Sequence, residues 1–116
     1  MKENIIQIKS FQFAVRIIKL YIHLSKTKKE FVLSKQILRS GTSIGANVEE
    51  AIGAQSKNDF VSKLSIAYKE SRETKYWLRL LNETNFITKK EFDSIINDLE
   101  EILRILGKIQ KTSKNS

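Results

Sequence analysis

Apolar residues recur every three or four positions from Ile5 to Ile109, and no proline interrupts them. That rhythm lays an apolar face along an α-helix; a strand needs alternation by two, and no stretch of the chain alternates that way. Without proline, helices must end through turn and capping chemistry instead. Such chemistry falls at three places. Lys26-Thr27-Lys28-Lys29 sets cations where a helix C-terminus carries partial negative charge. Ser56-Lys57-Asn58-Asp59 puts a hydroxyl three residues ahead of an acid, close to the capping-box pattern. Thr84-Asn85 breaks the period again, and Thr88-Lys89-Lys90-Glu91 is a full capping box.

The spacing therefore predicts four helices over about 5–26, 31–55, 57–83 and 89–111, the first starting near either Ile5 or Lys9, with a basic tail at 112–116. Connections this short favour antiparallel neighbours. The expected fold is one all-α domain, an up-down-up-down four-helix bundle filling 1–116. A chain of 116 residues buries only about two thirds of its unfolded surface, which makes self-association a reasonable source of added stability.

The third helix holds Phe60, Leu64, Ala67, Ser71, Thr74, Leu78 and Leu81 at four-three spacing, the rhythm of left-handed bundle packing, and this is its expected core seam. A second seam of Ile66, Glu70, Glu73, Trp77 and Leu80 puts two carboxylates in line with large apolar groups. Arg39, Arg72 and Arg79 can pair with them through forked hydrogen bonds, while Asn47, Thr42, Ser43 and Thr74 satisfy what remains. Glu49 and Glu50 belong to the same set of acids. Tyr76, Trp77 and Leu78 cover too wide an arc for one core, so Trp77 either plugs the bundle or meets another subunit. In the second helix Gly41 and Gly45 each cost about 1 kcal/mol against alanine, and close approach of a neighbouring backbone would compensate; a kink near Ser40–Ser43 is the other reading.

Charge is unevenly placed within the net +8: residues 1–39 carry +7, residues 40–101 carry −3 and residues 102–116 carry +4. Basic ends around a mildly acidic middle point to a polyanion such as nucleic acid. The first helix presents Lys9, Gln12, Arg16, Lys19, His23 and Lys26 as a polar stripe with no acid on it. Arg16, Lys19, Lys26, Lys28, Lys29, Lys35, Lys108 and Lys111, with Lys114 in the tail, are the candidate phosphate contacts; a merely solvated face is the alternative.

Catalysis finds little support. There is no cysteine, so there is no thiolate nucleophile, disulfide or Cys-ligated metal. His23 is the only histidine, no Glu-x-x-His pair exists for a di-metal bundle, and no phosphate-loop pattern is present. Neither a catalytic residue, a metal nor a cofactor is expected. The N-terminus offers only Lys2 and Glu3 ahead of a broken apolar stretch, and no run of about 18 apolar residues follows, so a cytoplasmic protein without membrane contact is expected.

One long motif remains. The run Leu33-Ser34-Lys35-Gln36-Ile37-Leu38-Arg39-Ser40-Gly41-Thr42-Ser43-Ile44-Gly45-Ala46-Asn47-Val48-Glu49-Glu50-Ala51 resembles the signature of four-helix bundle proteins related to the 23S rRNA intervening-sequence protein. Gln55-Ser56-Lys57-Asn58-Asp59-Phe60, Lys69-Glu70-Ser71-Arg72-Glu73-Thr74 and Tyr76-Trp77-Leu78 are similar to that family's third-helix pattern, with Ser71 in place of an expected alanine and Val48 in place of isoleucine. The resemblance implies a homopentamer encoded by bacterial genes, some within ribosomal RNA insertions, and kinship with the accessory variability protein of diversity-generating retroelements, which binds nucleic acid and a reverse transcriptase. The function expected from it is a non-catalytic nucleic-acid-binding scaffold, with RNA or DNA as partner. The alternative is a pentameric adaptor that docks a partner enzyme without binding nucleic acid.

Overall fold

A computed structural model of the chain describes residues 4–114. It contains four helices and no strand among those residues: α1 (Ile5–Lys26), α2 (Leu33–Ile52), α3 (Lys57–Glu83) and α4 (Lys89–Lys114). The bundle is an elongated rod, 46 × 23 × 20 Å.

Each helix begins where a side chain accepts from the free N–H groups of its first turn. Asn4 Oδ1 accepts from the Gln7 N–H at 3.1 Å, so α1 starts at Ile5 and not at Lys9. Ser56 Oγ accepts from Asp59 at 3.0 Å to open α3. Thr88 and Glu91 exchange bonds of 2.7 and 3.1 Å, a reciprocal capping box that opens α4. For α2 the cap is Glu30, whose carboxylate accepts from the backbones of Val32, Leu33 and Ser34 at 3.2, 3.0 and 2.6 Å.

Two of the helix ranges expected from spacing change accordingly. Helix two was expected over 31–55 but spans Leu33–Ile52: the Glu30 cap leaves Phe31 and Val32 outside, and Gly53 closes the other end on the Glu49 carbonyl. The fourth was expected to stop near Lys111, yet α4 continues to Lys114, since nothing there breaks it and Ile105 and Ile109 still pack on the core. The first residues of the basic tail 112–116 are thus helical, and residues 115 and 116 lie outside the described residues. Lys29 (φ 55°) and Asn85 (φ 65°) take the left-handed conformation that turns the chain out of α1 and α3.

Bonds between helices establish the antiparallel order. Arg39 reaches Glu70 and Glu73 while Glu50 meets Lys63; Lys75 meets Glu100 while Ser65 meets Gln110. Each helix packs on its chain neighbours, and α1 closes the ring against α4 less extensively than against α2. The tight α1–α2 contact follows from the two glycines. A Cβ on Gly45 would lie 3.2 Å from the Ser10 carbonyl oxygen, and one on Gly41 would lie 2.7 Å from Ile17 Cγ1. Close approach of α1, not a kink, is what these glycines permit: Gly45 meets the Ser10 backbone as expected, whereas Gly41 makes room for the Ile17 side chain and not for a backbone, and α2 runs unbroken through Ser40–Ser43.

The core is apolar and filled from all four helices: Phe13, Ile17, Ile37, Ile44, Leu64, Leu78, Leu99 and Leu106 are fully buried. The expected α3 seam is buried from Leu64 to Leu81, and its polar members are satisfied: Thr74 donates to the Glu70 carbonyl at 2.8 Å and lies 2.9 Å from the Ser40 hydroxyl, while Ser71 bonds the Ala67 carbonyl at 2.8 Å. No described helix is long and apolar enough to cross a membrane.

Candidate nucleic-acid interface

The helix-one stripe turns toward α4, where acids meet it. Lys9 Nζ sits 3.0 Å from Glu101, and Arg16 bonds Asp98 at 2.8 Å together with the carbonyl and hydroxyl of Ser94 at 3.3 and 3.1 Å. The stripe carries no acid of its own, but α4 supplies two, so Arg16 is a bridge across the α1–α4 seam and is not a bare cation. Past that bridge the seam opens into a cleft of about 430 Å³ lined by Lys19, His23, Lys90, Glu91 and apolar Leu20, Ile87 and Ile95. The Thr88 backbone N–H, helped by nearby His23 and Lys28, holds the Glu91 carboxyl below the ordinary carboxylate range.

The remaining candidate cations divide between the two ends of the rod. Lys19, Lys26, Lys28, Lys29 and Lys35 are exposed at the end where α1 stops and α2 and α4 begin. Lys108 and Lys111 are exposed near the C-terminus of α4, at the other end. The Lys114 side chain lies outside the described residues. What reads as one extended basic set in the sequence is two separate clusters in space.

The expected structural network forms in part. Arg39 forks to Glu70 at 3.1 Å and to Glu73, and Glu73 also accepts from the Trp77 indole N–H at 3.0 Å. These donors hold the Glu73 carboxyl low, the Trp77 bond contributing most, and the Glu73 bond leads the causes that raise the Arg39 guanidinium above its ordinary value. Glu50 pairs with Lys63 at 2.9 Å, and Glu49 accepts from Gln7 at 3.0 Å. Asn47 stays out of the network and donates to the Ser43 carbonyl on its own helix, as Thr42 and Ser43 do to Leu38 and Arg39. Arg72 also stays out, as does Arg79; both line a groove between α3 and α4.

Trp77 is half-buried against the core, and Leu78 is fully buried. Tyr76 takes the outward direction at 52% exposure and meets Trp77 edge to face, ring centres 5.1 Å apart. The broad arc around Trp77 is thus shared between core and solvent. The extended exposed apolar face lies elsewhere: Ile8, Phe11, Val15, Ile18 and Ile22 run along α1 opposite its buried side, with Phe11 65% exposed. Their three-four-three-four spacing was legible in the sequence, but α1 is apolar on two sides, and periodicity does not say which side meets the core.

A second cavity, about 670 Å³, lies between α3 and α4 and is lined by Tyr68, Arg72, Lys75, Tyr76, Arg79, Glu100, Leu103 and Arg104. Sequence reasoning missed it as a site, although Tyr68, Arg72, Lys75 and Arg79 recur at four-three-four spacing on one face of α3. Among the described residues, no three His, Cys, Asp or Glu side chains converge as a metal site would need.

Comparisons with known proteins agree with this architecture. The protein chain is similar to a crystal structure of a protein of unknown function from the S23 ribosomal protein family of Bacteroides thetaiotaomicron VPI-5482, at 57% identity and TM-score 0.93, covering 96% of this chain and 99% of that one. No curated protein matches it. The family model described as 23S rRNA-intervening sequence protein matches residues 2–108, nearly the whole chain. Four helices, the Gly41/Gly45 contact and that match together place the chain in the 23S rRNA-intervening sequence protein family.

Proposed function

We propose that the protein is a non-catalytic, cytoplasmic nucleic-acid-binding scaffold, with RNA as the polyanion, that works as a homopentamer. The observation that carries this reading is the surface of α1. Along one side, Ile8, Phe11, Val15, Ile18 and Ile22 form a five-residue apolar heptad stripe left in solvent, a pattern that a single bundle does not need. At its C-terminal end, Lys19, Lys26, Lys28 and Lys29 are exposed and join Lys35 without an ion pair to any of them among the described residues. A second copy is the occupant that fits the stripe, since its regular spacing suits another helix of the same kind. Assembly would multiply the lysine cluster around one particle, and each phosphate it neutralises releases counterions. The pentameric count comes from the family resemblance, and the family's name points to RNA.

Light scattering coupled to size exclusion, on nuclease-treated protein with and without structured RNA, tests both halves. The expected result is a pentamer whose RNA complex dissolves as salt rises, and whose Phe11→Glu/Ile18→Glu variant is a helical monomer. A wild-type monomer at every concentration overturns the assembly. A pentamer that ignores RNA but retains a protein partner after nuclease treatment replaces the scaffold with the adaptor.

A further inference from the structure

The α3–α4 groove carries a charge pattern that the fold does not use. Arg72, Arg79 and Arg104 line it, are exposed, and their side chains make no ion pair or hydrogen bond among the described residues. The single acid in the groove, Glu100, is already neutralised by Lys75 at 2.9 Å. Four cations therefore face one acid, and three of the cations are guanidiniums, whose planar forks match phosphate oxygens two at a time.

Two aromatic rings interleave with these cations. Tyr68 and Tyr76 stand two turns apart on α3, about 12 Å along its axis; Tyr68 is partly buried against the core beside Gly107 and forms the floor, while Tyr76 is the exposed ring. Tyr76 leaves half its surface in water, and its ring meets Trp77 edge to face. Among the described residues, neither tyrosine hydroxyl makes a hydrogen bond that would explain its place in the groove. Cations that track a backbone, set beside an exposed ring on which a base can lie, are the two parts of a single-strand site, where bases leave their own stack and lie on aromatic side chains. A duplex keeps its bases inside and would leave the ring unused. An acidic peptide would meet the guanidiniums but has no flat group for the tyrosine.

The geometry points to this groove as a binding site for single-stranded RNA, with Arg72, Arg79 and Arg104 on phosphates and Tyr76 under a base. The assignment rests on the nucleic-acid reading and gives it a second surface, separate from the lysine cluster at the end of α1.

The test is anisotropy titration of full-length protein with a fluorescein-labelled oligouridylate and with a labelled RNA duplex of equal length, across a salt series. Three variants accompany the wild type: Arg72→Ala/Arg79→Ala, Tyr76→Ala, and Lys26→Ala/Lys28→Ala as the control for the other cluster. All five positions are exposed, and circular dichroism confirms folding. The single strand is expected to bind more tightly than the duplex. The double arginine variant is expected to lose about tenfold or more, with a salt slope shallower by about 1.4 from two lost phosphate contacts. Tyr76→Ala is expected to lose about fivefold or more on the single strand and nothing on the duplex, from one lost stacking partner. Emission from Trp77, the only tryptophan, should change on binding.

If the groove variants bind like wild type while the Lys26/Lys28 variant loses affinity, RNA binding stands and this site is overturned. If wild type binds neither RNA, the reading beneath it fails too. If a poly-glutamate probe binds through Arg72 and Arg79 and the oligouridylate does not, the groove belongs to an acidic protein and the inference is refuted.

Discussion

Replacing Gly41 with alanine should destabilise the bundle, although helix propensity alone predicts the opposite. A buried alanine in mid-helix is worth about 1 kcal/mol over glycine. Here its Cβ would stand 2.7 and 2.8 Å from Ile17 Cγ1 and Cγ2, closer than real carbon contacts allow. Ile17 is fully buried and β-branched, so one χ1 rotamer dominates and the side chain has nowhere to turn. Relief requires α1 to retreat from α2, and overpacking of that kind costs about 1–3 kcal/mol. Given the depth of overlap, the upper part of that range applies, and the net loss is about 1–2 kcal/mol. In an Ile17→Ala background both clashing carbons are gone. That single change costs about 2–5 kcal/mol, and there Gly41→Ala should restore about 1 kcal/mol or more, because the propensity gain survives and part of the cavity fills. The coupling between the two positions is then on the order of 2–3 kcal/mol. Urea titrations of all four proteins, followed by circular dichroism and Trp77 fluorescence at one protein concentration, measure it; the fixed concentration matters because association adds to apparent stability. Additive effects in the two backgrounds, or a stabilised Gly41→Ala single variant, would refute the overlap argument.

Two further predictions concern the caps and the acid limb of stability. Glu30→Ala should cost about 1–2 kcal/mol, since the backbone N–H groups of Val32, at the entry to α2, and of Leu33 and Ser34, in its first turn, lose their acceptor, while Glu30→Gln retains part of it; thermal melts give the order of the three proteins. Glu73 has a folded pKa below its ordinary value near 4.5, chiefly through the Trp77 indole N–H and then Arg39, so its contribution is full above that value and is lost as pH falls through the folded one. Glu73→Gln should therefore flatten part of the loss of stability on acidification, leaving the share due to Glu91; an unchanged acid limb would show that Glu73 is not held low.

The sequence by itself determined the all-α class and the number of helices. Period, absence of proline and the Ser56 and Thr88 caps are local properties, set by residues within a turn or two of each other, and they survive translation into structure nearly intact. The Gly41 and Gly45 contact was legible for the same reason: glycine in mid-helix is a local anomaly that demands a neighbour. The Glu30 cap was missed because an acid three residues before a helix does not match the hydroxyl capping pattern.

Only the tertiary structure decided which face meets which partner. A helix periodicity ranks faces by polarity but carries no information on rotation about the bundle axis or on register with a helix far away in the chain. That is why Arg16 turned out to pair with Asp98, 82 positions away, and why Arg39 took both glutamates while Arg72 and Arg79 came to line the α3–α4 groove. The same geometric freedom hid the outward apolar stripe of α1 and the arginine-tyrosine groove. Each needs two helices fixed relative to one another before its residues become neighbours, and that placement is set by how the whole core closes.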